Sequence, residues 1–258
     1  MKIRFIIGLI IIALVALPLL TGGVLLAILM AIIGCISMYE IIVVSFKKLD
    51  VLLLVLSLSY IGIISISNRL NDMNYTIIFI VILFLLAIIN SNYNIVDLTL
   101  IFIIALIVGV SANTINNIYL IDNRLMFLIV ISNYCTDIGA YLFGYKFGKR
   151  PLNKRVSKNK TIEGCIGGWI TSFIISIVFS IIFIIPYLTI DYNLIIVICI
   201  IIPIIAQLGD LTFSLIKRYY NIKDFGQLFL SHGGMLDRLD SLYFSLLFIY
   251  SILNYINI

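Results

Sequence analysis

Charge is scarce in this sequence: only 11% of its 258 residues are Asp, Glu, Lys or Arg, while 63% are hydrophobic. A water-soluble domain has too little interior to hide that much apolar surface, so a soluble enzyme is excluded. Histidine is scarcer still. His232 is the single one, and any mechanism demanding a histidine base hangs wholly on it. The four cysteines, Cys35, Cys135, Cys165 and Cys199, include no C-x-x-C pair and have no histidine nearby. They read as small buried hydrophobes, which excludes a disulfide framework and a thiolate metal centre. Internal repeats, low-complexity runs and a paired set of Gly/Pro-interrupted helices are absent too, and the last absence argues against a secondary transporter.

What is abundant is apolar sequence long enough to cross roughly 30 Å of hydrocarbon, broken by short polar segments. The segmentation predicts an all-α, polytopic transmembrane bundle of about nine spans: 4–20, 23–46, 50–67, 75–91, 97–113, 124–147, 165–188, 191–218 and 236–257. Lys2 and Arg4 ahead of an apolar run also resemble a secretory signal. The lack of an A-x-A site before Thr21-Gly22-Gly23 favours a retained helix. With nine spans, fifteen of the 17 Lys and Arg residues fall on the N-terminal side, leaving only Arg69 and Arg124 opposite. By the positive-inside rule the N-terminus is cytoplasmic and the C-terminus is not. The formal charge of +5 therefore belongs to one membrane face, where anionic headgroups and solutes are met, and nucleic acid is a poor partner for it.

The chain reads as one membrane domain with two regions, scaffold helices over 1–120 and a catalytic region with cytoplasmic loops over 121–258. In the first, Glu40 is the exception: a carboxylate at membrane depth is either functional or an interfacial group, and the sequence supports both readings. In the second, three constellations carry chemistry. Asn133, Asp137, Ala140 and Gly144 step by four, three and four, one small polar stripe on a helix; Asp137 either faces a cation or pairs with a loop lysine. The loop Lys146–Lys160 holds seven cations and closes on Thr161-Ile162-Glu163-Gly164, a pattern that also suits anionic lipid heads. Gly164, Gly167 and Gly168 after it are compatible with close backbone approach to a ligand.

The third constellation is the densest. Gln207, Asp210, Ser214 and Lys217 make a polar stripe at one helix end, and Asp237, Asp240 and Ser241 occupy one face at the start of the last span. If those ends meet, three carboxylates converge and need a divalent cation to coexist. Lys217, Arg218, Lys223 and Arg238 supply phosphate partners, and Gly233 and Gly234 supply backbone N–H groups. This is the equipment of metal-assisted phosphoryl or nucleotidyl transfer.

The run Ser214-x-x-Lys217-Arg218, Lys223-Asp224-x-Gly226, His232-Gly233-Gly234-x-x-Asp237-Arg238-x-Asp240 resembles the signature of the phosphatidate cytidylyltransferases, also called CDP-diacylglycerol synthases. The resemblance extends to Gln207-x-Gly209-Asp210, Asp137-x-x-Ala140-Tyr141-x-x-Gly144 and Lys160-Thr161-x-Glu163-Gly164, where Ile162 replaces the family's usual Trp. It covers about half the chain. It implies an integral enzyme of the cell membrane, its active site facing the cytoplasm, that transfers CMP from CTP to phosphatidate and releases pyrophosphate. It implies Mg²⁺, with room for a monovalent cation such as K⁺, at Asp210, Asp237 and Asp240, and catalytic phosphate contacts from Lys217 and Arg218. Asp137, Lys160, Glu163, Ser214, Lys223, Asp224, His232, Gly233, Gly234 and Arg238 are the expected substrate-binding set. Membrane lipids are expected partners, and a homodimer is left open.

A phosphomonoester has a second pKa near ~6, so the attacking oxygen of phosphatidate is ionised at neutral pH and no general base is required. His232 then reads as a phosphate donor or loop-ordering residue. A CTP-dependent polyprenol kinase would share a similar region, and a transporter or lipid-binding protein is the alternative of another class. The D-G-x-x-A-R run of CDP-alcohol phosphotransferases is missing. The charge split predicts that single cysteines placed in 146–160 or 217–238 react only with membrane-permeant reagents in intact cells. Labelling of the 146–160 loop from outside contradicts the topology.

Overall fold

The computed structural model describes residues 15–67, 69–187, 192–228 and 233–256. His232 and residues 4–14 of the expected first span lie outside the described residues. A helical stretch over 15–21 (α1) leads into α2 (Gly23–Phe46), α3 (Val51–Ile66), α4 (Arg69–Ile89), α5 (Ile95–Ile121) and α6 (Arg124–Phe147). An antiparallel hairpin, β1 (Pro151–Asn153) and β2 (Ser157–Thr161), precedes α7 (Ile162–Phe183), α8 (Tyr192–Tyr219) and α9 (Leu236–Ile256). The all-α expectation holds, the short hairpin being the only sheet among the described residues.

Five helices, α2, α5, α6, α7 and α8, are long and apolar enough to cross a membrane, and α3 and residues 73–89 of α4 are shorter apolar helices. Burial supports the same placement. Ile66, Ile89 and Leu120 are 82%, 79% and 85% exposed, whereas Ser37, Ser57, Ser111, Ser132, Ser172 and Ser176 are fully buried. Water would reverse that distribution; lipid tolerates it, because only a polar group needs shelter from hydrocarbon. The chain is an integral membrane protein.

Small residues set the closest helix contact. Gly139 of α6 lies against Thr171 of α7, Gly168 against the Thr136 carbonyl and Ala140, and the Ser132 and Ser172 hydroxyls hydrogen-bond at 2.9 Å. Backbones that approach this closely gain dispersion contacts that lipid tails cannot outcompete. Gly167 is likewise filled by the Phe143 ring, so these glycines serve helix packing.

Helix α5 runs eight residues beyond its expected end at 113. The polar cluster Asn113, Asn116 and Asn117 looks like a loop in sequence, but its amides do structural work for a neighbour. Asn113 donates to the Ile64 and Ser67 carbonyls, and Asn116 to the Ser65 carbonyl, which satisfies the open C-terminal end of α3.

Four connections gather at one end of the bundle. Tyr93 donates to Asp50 at 2.8 Å, and Tyr220 donates to Asp97 at 2.7 Å while sharing a hydrogen bond with Ser45. Arg218 Nε reaches the Val156 carbonyl of the hairpin turn at 3.3 Å. Burial holds the Tyr220 phenol well above its ordinary range, so it remains a donor to Asp97. Beneath these ties a core of Met38, Ile41, Leu53, Phe79, Ile101, Phe213 and Tyr243 joins both halves of the chain, and Tyr243 shares a buried hydrogen bond with Ser37 at 3.0 Å.

Candidate active site

At this end the C-terminal parts of α6 and α8, the N-terminal turns of α7 and α9 and the hairpin enclose a cavity of about 480 Å³. Asp137 enters from α6, Lys160 from β2, Asp210 and Lys217 from α8, Asp224 from the α8–α9 connection, and Asp237, Arg238 and Asp240 from α9. Five of these lining residues are acidic and three are basic.

Each acid is held differently. Asp210 pairs with Lys160 and accepts from the Ser214 hydroxyl at 3.4 Å. Asp237 Oδ1 binds Lys217 Nζ at 2.7 Å, and its Oδ2 accepts the Phe225 and Gly234 amides at 2.8 and 3.0 Å. Asp240, 7% exposed, accepts the Ser241 amide at 2.7 Å and lies within electrostatic reach of Asp210 and Asp137. The helical stripes 207–217 and 237–241, whose meeting their spacing left open, line one cavity, and Gly209 lets α8 approach the Asp240 carbonyl where any side chain would collide.

Glu163, Ser214, Arg218, Lys223, Gly233 and Gly234, also expected in the site, sit outside the cavity lining. Glu163 accepts the Lys149 and Arg150 amides at 3.1 Å each and closes the hairpin base. Thr161 caps α7 through the Gly164 amide, which fixes the strand-to-helix corner beside Lys160. Arg218 is exposed and bonded to the Val156 and Ile222 carbonyls. Lys223 is exposed. Gly233 adopts φ +82, a left-handed turn, and the Gly234 amide is used by Asp237. Sequence reasoning left the cavity roles of Ser157, Asn159 and Tyr141 unread. Gln207 was singled out, and its amide ties α8 to the Cys165 carbonyl of α7 at 3.1 Å.

The donor set fits a Mg²⁺ ion shared with a substrate. Among the described residues no three acidic, cysteine or histidine groups close into a metal cage. Mg²⁺ needs none, because it keeps several waters and takes one or two carboxylates plus substrate phosphates. Carboxylates beside lysines in one cavity supply that arrangement.

The helix ends of this integral membrane protein enclose an ionic cavity in which acidic and basic side chains stand together. The chain belongs to the cytidylyltransferase family, whose profile matches residues 2–256. It is 34% identical over 128 residues to a phosphatidate cytidylyltransferase of Bacillus subtilis (strain 168), covering 50% of this chain and 46% of that protein. It is 36% identical over 124 residues to the protein of that name from Staphylococcus saprophyticus, covering 46% of this chain and 44% of the relative. The Staphylococcus haemolyticus protein of that name gives 37% over 124 residues, with the same shares. The chain spans about half the length of the curated relatives it matches.

The Lys217 and Asp237 side chains are 11% and 7% exposed, so breaking their pair strands a charge. Lys217→Met is expected to lower unfolding stability in detergent by about 3 kcal/mol. Adding Asp237→Asn should recover part of that loss. Strictly additive losses contradict a coupled pair.

Proposed function

We propose that this protein transfers CMP from CTP to phosphatidate, giving CDP-diacylglycerol and pyrophosphate, at the cytoplasmic face of the cell membrane. The observation that carries the reading is the single cavity in which Asp137, Asp210, Asp237 and Asp240 stand beside Lys160, Lys217 and Arg238 at the ends of apolar helices. A polyanionic nucleotide needs the cations, a lipid needs the membrane-depth position, and the family and its named relatives join the two. The cytoplasmic assignment rests on the cationic residues of the connections gathered at this end.

The reaction makes one bond, from a phosphatidate phosphate oxygen to the α-phosphorus of CTP, and breaks the bond from that phosphorus to the bridging oxygen of pyrophosphate. The nucleophile is already ionised, so the chain's task is to bring two anions together and neutralise the charge on the leaving group. Lys160 and Lys217, which pair with Asp210 and Asp237, are the cations placed to meet phosphate oxygens, and Arg238 offers a bidentate partner. Asp210, Asp237 and Asp240 are the proposed holders of Mg²⁺, which supplies Lewis-acid polarisation of the phosphates when bound. A monovalent cation such as K⁺ is the proposed companion. Asp137 adds a further carboxylate to this cavity.

The purified protein in detergent with phosphatidate, Mg²⁺ and CTP labelled at the α- or γ-phosphate tests the reading. Label should enter lipid from the α position only, with one pyrophosphate per lipid product; entry from the γ position identifies a kinase instead. Asp210→Asn and Asp240→Asn should each lower kcat/KM by roughly 100-fold, and the double variant should be little worse than either. Near-normal turnover in both folded variants removes the aspartates from the site.

A further inference from the structure

Glu40 lies on α2, in the region the motif resemblance does not reach, and is 3% exposed. Its Oε1 accepts the Met235 amide at 2.8 Å and its Oε2 the Leu236 amide at 3.0 Å. These amides belong to the residue before α9 and to its first residue, donors that a helix cannot satisfy within itself. A carboxylate at this end also meets the positive pole of the helix dipole. The clasp is specific: Gly226 and Gly234 both lie against the Glu40 carboxylate, and a methyl group at either would collide with it.

Glu40 is absent from the lining of the ionic cavity and borders a separate cavity of about 420 Å³ beyond residues 225–228. With both oxygens committed to α9, it acts through that helix. Asp237 follows the clasped amides immediately, and Asp240 follows one turn later.

We infer that Glu40 is a positioning residue: by fixing where α9 begins, it places Asp237 and Asp240 in the cavity they share with Asp210. This rests on the cytidylyl-transfer reading and extends it to the first half of the chain. Loss of the clasp leaves the helices in place but lets the first turn of α9 move, so it is felt in the site's affinity for Mg²⁺.

Glu40→Gln keeps the side chain's shape and turns an NH₂ group toward one of the two amides. In the full chain in lipid nanodiscs, hydrogen–deuterium exchange over 235–240 should accelerate by about 10-fold, the scale of one lost charge-assisted hydrogen bond. The Mg²⁺ concentration for half-maximal turnover should rise by about 10-fold with KM for phosphatidate unchanged, a split that simple loss of folded protein does not produce. Glu40→Asp, which keeps both oxygens, should recover part of each effect. Should Glu40→Gln fail to fold, Gly226→Ala presses on the same carboxylate and is read by the same two measurements. Wild-type exchange and wild-type Mg²⁺ dependence, with activity falling only as folded protein falls, overturn the inference. A wild type that transfers no CMP overturns the functional reading, while the exchange result still reports on the clasp.

Discussion

Carboxylates held at the ends of apolar helices are the constraint around which this protein is organised. A charge at that depth has to be given partners, because neither lipid nor a dry helix interface solvates it. Asp237 is met by Lys217 and two amides, Asp210 by Lys160 and Ser214, and Glu40 by the two amides that open α9. These partnerships fix the connection between α8 and α9, the start of α9 and the placement of the hairpin. A site assembled in this way is rigid where acids face N–H groups and exchangeable where they face lysines. A lysine can turn from a protein carboxylate to another anion without leaving a backbone donor unpaired.

The two halves of the chain are joined through this end. Helix α2 contributes Glu40 to α9 and Ser37 to Tyr243, and α5 contributes Asp97 to Tyr220. The family profile spans residues 2–256, although similarity to the named relatives covers about half the chain. A membrane helix need only be apolar and packable, whereas a charged helix end needs particular partners. The first half keeps its role through a few polar contacts spaced along hydrophobic sequence.

Much of the site was legible because helical periodicity survives in the membrane. The steps from Gln207 to Lys217 and from Asp237 to Ser241 place their polar groups on one face each, and the cavity unites them. What the sequence concealed were pairings across long separations. Glu40 finds its amides 195 and 196 residues away, so neither of its two readings was favoured by local pattern. The hairpin was hidden because β2, Ser157-Lys158-Asn159-Lys160-Thr161, is short and lacks apolar alternation; its register is set by the ends of α6 and α7. Asparagines 113, 116 and 117 suggested a helix end and instead extend α5: the amides of Asn113 and Asn116 serve carbonyls at the end of α3, and Asn117 donates to the Asn113 side-chain oxygen.

We propose that the acids of this cavity and the phosphates of CTP share one divalent cation. Pulsed electron paramagnetic resonance with Mn²⁺ in place of Mg²⁺ reads that directly, because a phosphate whose oxygen binds the ion gives a resolved ³¹P hyperfine coupling. Protein with Mn²⁺ and CTP, without phosphatidate, should show this coupling on protein-bound Mn²⁺, and the bound signal should be lost in Asp210→Asn and Asp240→Asn. Bound Mn²⁺ that shows no phosphorus coupling, or that survives unchanged in both variants, contradicts the claim.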